Sequence, residues 1–170
     1  MEKRPTNCYG ISLSKKEVKM SEAMCPCKSN IPSSQCCEKF INGSQKPESV
    51  EELMRSRYTA FTKGAHDYLM ETWHPETRPD SIESDLTNWL DLKIVDSSQE
   101  GHEGEVEFIA KLYHNNKLEV LHELSFFEKV DGHWVYYNGE FKEKCAVEKI
   151  SKNSLCPCGS DLKFKRCHGA

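Results

Sequence analysis

Between residues 50 and 73 the apolar positions recur at steps of three and four: Val50, Leu53, Met54, Tyr58, Phe61, Ala65, Tyr68, Leu69 and Trp73. That spacing is the stripe of an amphipathic helix. Ser49 and Glu52 form an S-x-x-E capping box at its start. Gly64 is the point at which it bends or splits, and Pro75 ends it, because the residue before proline is pushed out of the α region. Asp80 with Glu83 predicts a second cap and a short helix over about 81–89. From Asp91 the period changes to two. The stretches LDLKIVDS, GEVEFIAKLYH, KLEVLHELSFFEKV and HWVYYNGEF read as four strands. Asn-Asn in HNNK and Asp-Gly in VDGH are hairpin signals at two of their joints. Val106, Phe108, Ala110 and Leu112 share one face, whereas Ile109 and Tyr113 lie on the other. A sheet with one wet face has no need of large apolar groups on both. A curved antiparallel sheet wrapped round a helix does, and it leaves a cavity. The fold class is α+β, a cone of helices packed in a curved sheet over roughly residues 46–143.

The flanks differ from this body. Residues 1–23 show no convincing apolar period and are predicted to form a flexible tail. Residues 42–47 (NGSQKP) are a turn-rich linker. The 170 residues are 37% hydrophobic and 29% charged, as in an ordinary soluble protein. No apolar run is long enough for a transmembrane span, and the N-terminus lacks the apolar core of a secretory signal. The net charge of −4 is unevenly spread. Residues 1–45 carry seven basic and four acidic side chains, residues 46–141 nine and twenty, and residues 142–170 seven and three. An acidic body argues against a nucleic-acid platform, which needs a positive face. The basic ends suit an acidic partner or simply confer solubility.

Nine cysteines are present, and seven of them gather with one histidine in two clusters. CPCKSNIPSSQCC (residues 25–37) and CPCGSDLKFKRCH (residues 156–168) share one spacing. Each offers four ligands for a tetrahedral zinc ion: Cys25, Cys27, Cys36 and Cys37, then Cys156, Cys158, Cys167 and His168. Pro26 and Pro157 preset the turn between the first two ligands of each. With all four positions filled by protein, no site remains for water or substrate, so two structural Zn²⁺ sites are expected rather than catalytic ones. Clustered ligands and an odd cysteine count argue for metal over disulfides, hence a reducing cytoplasm. Cys8 and Cys145 are read as spare thiols. The chain thus divides into a tail (1–23), an N-terminal knuckle and linker (24–45), the cone (46–143), and a linker with the C-terminal knuckle (144–170).

The C-P-C-G-S-x₃-F-K-x-C-H pattern resembles the SEC-C zinc motif found at the C-terminus of the SecA translocation ATPase. From about residue 24 onward the chain resembles the YchJ-like family, with a SEC-C motif at each end of a nuclear-transport-factor-2-like (SnoaL-like) cone. LMRSRYTAF (53–61), YLMETWHP (68–75), HELSFF (122–127) and GHWVYYNG (132–139) carry the likeness. The resemblance implies zinc-binding modules on a cone, in a bacterial protein of no settled activity. In SecA the motif docks a chaperone and anionic lipid; here that is analogy alone. Lys28 stands where the second copy has Gly159, and Ser33 where it has Phe164. Leu124 sits where the family often has arginine. The Lys28 and Ser33 departures predict a looser N-terminal knuckle, and Leu124 removes the charge that the resemblance would imply at that position.

Cones of this class host both enzymes and binding modules. Tyr58, Trp73, His74 and His122 are the candidate cavity residues, with His66, Asp67 and Glu123 behind them. His122 and Glu123 are adjacent on a strand and so face opposite sides. Arg55 and Arg57 could bind an anion or pair with acidic neighbours. The sequence shows no nucleophile elbow, phosphate loop or open metal site, so no catalytic residue is assigned. The favoured function is a non-enzymatic adaptor that docks a protein partner through the C-terminal knuckle. A small-molecule enzyme using the cavity (lyase, isomerase or hydrolase) and a thiol-based redox sensor are the alternatives. Homodimerisation through the sheet is left open.

Overall fold

The computed structural model describes residues 23–82, 87–114, 117–148 and 150–169. Helix α1 (Glu38–Ile41) follows the first cysteine cluster, and α2 (Val50–Lys63) and α3 (His66–Glu71) come before the sheet. The strands are β1 (Asn88–Glu100), β2 (Glu103–His114), β3 (Lys117–Val130) and β4 (His133–Glu148), antiparallel in the order β1-β2-β3-β4.

The helix starts where its sequence says. Ser49 accepts from the Glu52 amide at 3.2 Å, while the Glu52 carboxylate accepts from the Ser49 amide at 3.3 Å. Gly64 splits the stripe. Its φ of 66° is left-handed, and its N–H caps the carbonyls of Ala60 and Phe61. Glycine reaches that conformation without a Cβ clash.

The stripe of α2 faces the sheet. Val50, Leu53, Met54 and Tyr58 form one core with Leu92, Val106, Phe108, Ala110, Phe127 and Trp134. A second cluster joins Phe40, Ala60, Tyr68 and Leu69. Register shifts in β1 at Trp89/Asp91 and Ile94/Asp96, and between β3 and β4 at three places, mark irregular pairing. Irregularities of this kind bend a strand and sharpen its twist, which lets the sheet curve round the helix. The Asp-Gly turn between β3 and β4 has φ of 51° and 80° at Asp131 and Gly132, as a two-residue hairpin loop of primed type requires. Asn115 and Asn116 lie outside the described residues, although β2 and β3 pair as far as His114 and Lys117.

The expected helix over 81–89 is a correction. Ser81 and Ile82 are irregular, Glu83–Leu86 lie outside the described residues, and Asn88 and Trp89 already pair with Tyr113 and Leu112. The Trp89 ring packs on Tyr58 at 5.6 Å and Phe61 at 5.5 Å. Burying an indole against α2 outweighs a local capping signal. β4 also runs seven residues past Phe141, the end expected for it, so Cys145 and Glu148 still pair with Val120 and Leu118. The expected tail lies outside the described residues but for its last position, as does Cys8; of Cys145 only the backbone is described. Among the described residues, no helix is long and apolar enough to cross a membrane.

Candidate metal centres and the cone cavity

The two cysteine clusters fold alike, position for position. In the first, the Cys25 amide donates to the Ile31 carbonyl at 2.9 Å and the Ser33 amide to that of Ala23 at 2.9 Å. In the second, Cys156 donates to Leu162 at 2.7 Å and Phe164 to Ser154 at 2.8 Å. Each pair flanks an isolated antiparallel bridge, Met24 with Pro32 and Leu155 with Lys163, and closes a small turn without a regular strand. A short 3₁₀ turn (Ser33–Gln35, Phe164–Arg166) then delivers the last two ligands. Lys28 and Gly159 are both left-handed, with φ of 62° and 75°, and so are Asn30 and Asp161, at 60° and 58°. Asn and Asp tolerate that region; lysine does so at a cost.

In each cluster the four ligand atoms lie within 4.8 Å of one another, so each group could hold a metal ion. Cys27 Sγ stands 3.6 Å from Cys36 Sγ, which is 3.8 Å from Cys37 Sγ. Cys158 Sγ stands 3.6 Å from Cys167 Sγ, and His168 Nδ1 lies 3.1 Å from Cys167 Sγ and 3.4 Å from Cys156 Sγ. A serine hydroxyl sits beside the third ligand of each, Ser29 at 3.2 Å from Cys36 and Ser160 at 3.4 Å from Cys167. In the first cluster, side-chain hydrogen bonds from Cys27 and Cys37 hold the Cys25 thiol far below its ordinary value. The same bonds push Cys27 up to about 11 and Cys37 higher still. In the second cluster burial pushes Cys156 up to about 11 and draws His168 down, with the Lys28 charge adding to the latter.

The surroundings differ. Cys25, Cys27 and Cys37 belong to the main hydrophobic core. Helix α2 supplies the polar partners of that cluster: Thr59 Oγ1 lies 3.6 Å from Cys25 Sγ, and Arg55 donates to the Cys27 carbonyl at 3.0 Å. Lys63 reaches Ser33 Oγ at 3.2 Å and also the Glu38 carboxylate. The expectation of a loose N-terminal knuckle therefore fails in its packing, because α2 replaces the missing phenylalanine. In the second cluster only Cys156 among the ligands is buried, and Phe164, 1% exposed, fills the centre of the knuckle. Its ring meets Tyr113 edge-on at 4.7 Å, which gives that outward-facing tyrosine a partner. Lys28 Nζ donates to the Cys158 carbonyl at 2.9 Å, so the two knuckles touch.

A cavity of about 150 Å³ lies between α2 and the sheet. Tyr58 and Trp73 line it, whereas His74 and His122 are not among its lining residues. His74 is buried at the end of α3, where its Nδ1 accepts from the Glu76 amide at 3.2 Å. His122 faces outward and meets Glu107 at 2.7 Å. Lys142 and then His122 hold the Glu107 carboxyl below its ordinary value. Glu123 faces the cavity instead, as alternation along β3 requires. Its carboxylate accepts from Ser125 Oγ at 2.7 Å, and burial pushes it above the usual carboxylate range. A Cβ at Gly139 would lie 2.2 Å from Glu123 Oε1, so glycine makes room for the carboxyl.

The two arginines part company. Arg55 pairs with Glu51 at 2.8 Å on the surface of α2. Arg57 is 3% exposed, between the Trp73 and Tyr136 rings at 4.9 and 4.7 Å. Its Nη1 donates to the carbonyls of Leu69 and Thr72 and to Thr72 Oγ1. Burial lowers its pKa to about 10, which leaves it charged at neutral pH. Glu123 is one of the sequence candidates that the structure does place in the cavity, whereas Arg57 and Tyr136 are lining residues that the sequence reading does not assign to it. One signal was available: Arg57 lies on the apolar stripe, four residues after Leu53.

Residues 49–139 match the family description "YchJ, middle NTF2-like domain", and residues 153–170 match the SEC-C motif. A UPF0225 protein of Serratia proteamaculans is 39% identical over 158 residues, covering 86% of this chain and 97% of that one. A UPF0225 protein of Geobacter sulfurreducens is 38% identical, covering 86% and 98%. The solution structure of a SEC-C motif-containing protein from Rhodopseudomonas palustris is 34% identical with a TM-score of 0.63, covering 69% of this chain and 98% of that one. The crystal structure of one from Psychrobacter arcticus is 26% identical with a TM-score of 0.56, covering 86% and 95%. The likeness runs along nearly the whole length of these bacterial relatives, and the chain belongs to the YchJ-like UPF0225 family.

Proposed function

We propose that each cysteine cluster is a closed structural zinc site and that the protein is a non-enzymatic cytoplasmic adaptor, docking an acidic protein partner through its C-terminal knuckle. Four thiolates at about 2.3 Å from zinc stand about 3.8 Å apart in a tetrahedron. The sulfur spacings of 3.6, 3.8 and 3.6 Å fit that figure. This fit carries the metal part of the reading. With four protein ligands to each ion, zinc supplies cross-linking rather than chemistry. The docking part is supported by what the second knuckle leaves in solvent. Leu155 and Leu162 are 66% and 49% exposed, and Lys163, Lys165 and Arg166 beside them are exposed too. An apolar pair ringed by cations suits an acidic, partly apolar surface.

Native mass spectrometry of the full chain tests the metal: two zinc ions are expected, and none would overturn the reading. Crosslinking in cells tests the docking. A Lys163→Glu, Lys165→Glu, Arg166→Glu variant that keeps both zinc ions should lose the partners of the wild type. An unchanged crosslinking pattern would remove the docking role.

A further inference from the structure

The cone cavity holds two opposite charges that do not meet. Arg57 and Glu123 both line it, yet among the described residues no carboxylate lies within salt-bridge distance of Arg57. Among the described residues the guanidinium's hydrogen bonds all come from Nη1, and the buried side-chain nitrogen without a partner is Trp73 Nε1, on the same cavity wall. Buried polar groups are ordinarily hydrogen-bonded. The Trp73 N–H, beside an arginine only 3% exposed, therefore marks a place where an acceptor belongs. The Glu123 carboxylate accepts from Ser125 and hydrogen-bonds with the Tyr136 side chain, and with four lone-pair sites it keeps further acceptor capacity. The remaining walls are aromatic, from Tyr58, Trp89, Phe108 and Tyr136. A cavity of about 150 Å³ accommodates one benzene-sized ring.

These features select a ligand. An ion of either sign is attracted by one of the two groups and repelled by the other, so a net charge gains little in this space. A neutral molecule with one acceptor and one N–H donor satisfies both. We infer that the cavity binds a small, planar, neutral carboxamide- or urea-type compound, its carbonyl accepting from the Trp73 N–H beside Arg57 and its N–H donating to Glu123. This site is separate from the knuckles and does not depend on the docking role proposed for them.

Benzamide is a suitable probe, with benzoate and benzylammonium as charged analogues of the same size. Titration of the full-length, metal-loaded protein is followed by the indole N–H signals of Trp73 and Trp89. Saturable binding of benzamide is expected, at least about tenfold tighter than either analogue. Glu123→Ala should weaken it by about tenfold or more, while His122→Ala, one residue along β3 and on the outer face, should leave it unchanged. Absence of saturable benzamide binding, benzoate binding equally well, or a Glu123→Ala variant that binds as the wild type does would each overturn the inference. The ligand series needs only the wild-type protein and decides the matter even if Glu123→Ala does not fold.

Discussion

The two knuckles are nearly one structure placed in two settings. They share a hydrogen-bonding frame, the pattern of left-handed residues and the ligand spacing. What differs is where the apolar filling comes from. The C-terminal knuckle brings its own, as Phe164, and rests on the sheet through the Tyr113 contact. The N-terminal one has Ser33 at that position and borrows α2, so its cysteines lie in the protein's main core. A ligand frame of thirteen residues is too small to bury itself, and either solution supplies the burial. With zinc bound as proposed, the borrowed solution would tie metal to fold. The self-contained one leaves a peripheral module with exposed leucines.

The sharpest test of this difference removes ligands in pairs. Cys25→Ser with Cys27→Ser places unpaired polar groups in the core and abolishes the metal cross-link. It should cost about 4 kcal/mol or more of global stability in urea unfolding of the zinc-loaded protein. Cys156→Ser with Cys158→Ser should cost less than about 1 kcal/mol by the same measurement, while limited proteolysis shows the last twenty residues opened. Equal losses would mean that the two sites are embedded alike. Phe164→Ala comes next. Emptying a site this buried costs about 3 kcal/mol, felt within the C-terminal knuckle alone. Hydrogen exchange at the Cys156 and Gly169 amides, which donate to Leu162 and Phe164, should rise steeply while that at Leu53 stays put. A smaller effect is kinetic. Under excess chelator the C-terminal ion should leave at least about tenfold faster than the N-terminal one, about 1.4 kcal/mol in barrier, read as biphasic zinc release.

Much of this contrast was visible in the sequence, and some was not. The period-three-and-four stripe, the capping box and the period-two strands were legible because each is a local pattern repeated over many residues. The ligand sets were legible because spacing alone encodes them. The helix expected over 81–89 failed where a short capping signal competed with long-range burial of Trp89. The embedding of the first knuckle was hidden for the same reason. Ser33 looks like a loss until α2 is seen to lie against it, and nothing local says that Thr59 and Arg55 will serve Cys25 and Cys27. In the cavity, alternation did separate His122 from Glu123, but which of the two faced inward depended on the curvature of the sheet.

The subtlest difference is the residue after each C-P-C. Gly159 is left-handed at no steric cost, whereas Lys28 holds the same conformation against a penalty of roughly 1 kcal/mol. Its Nζ spans to the Cys158 carbonyl, a bond worth about 1 kcal/mol. The two contributions nearly cancel in global stability but act on different knuckles. Lys28→Gly should therefore leave the urea midpoint within about 0.5 kcal/mol of the wild type, while hydrogen exchange in residues 156–168 rises by about fivefold. A Cβ at Gly159 meets no neighbouring atom, so Gly159→Lys should destabilise the C-terminal knuckle through its left-handed backbone alone, by about 1 kcal/mol. If Lys28→Gly instead stabilised the protein by the full strain with no change in exchange at 156–168, Lys28 would be no clasp between the knuckles. The contrast would then reduce to one strained residue in a well-supported loop.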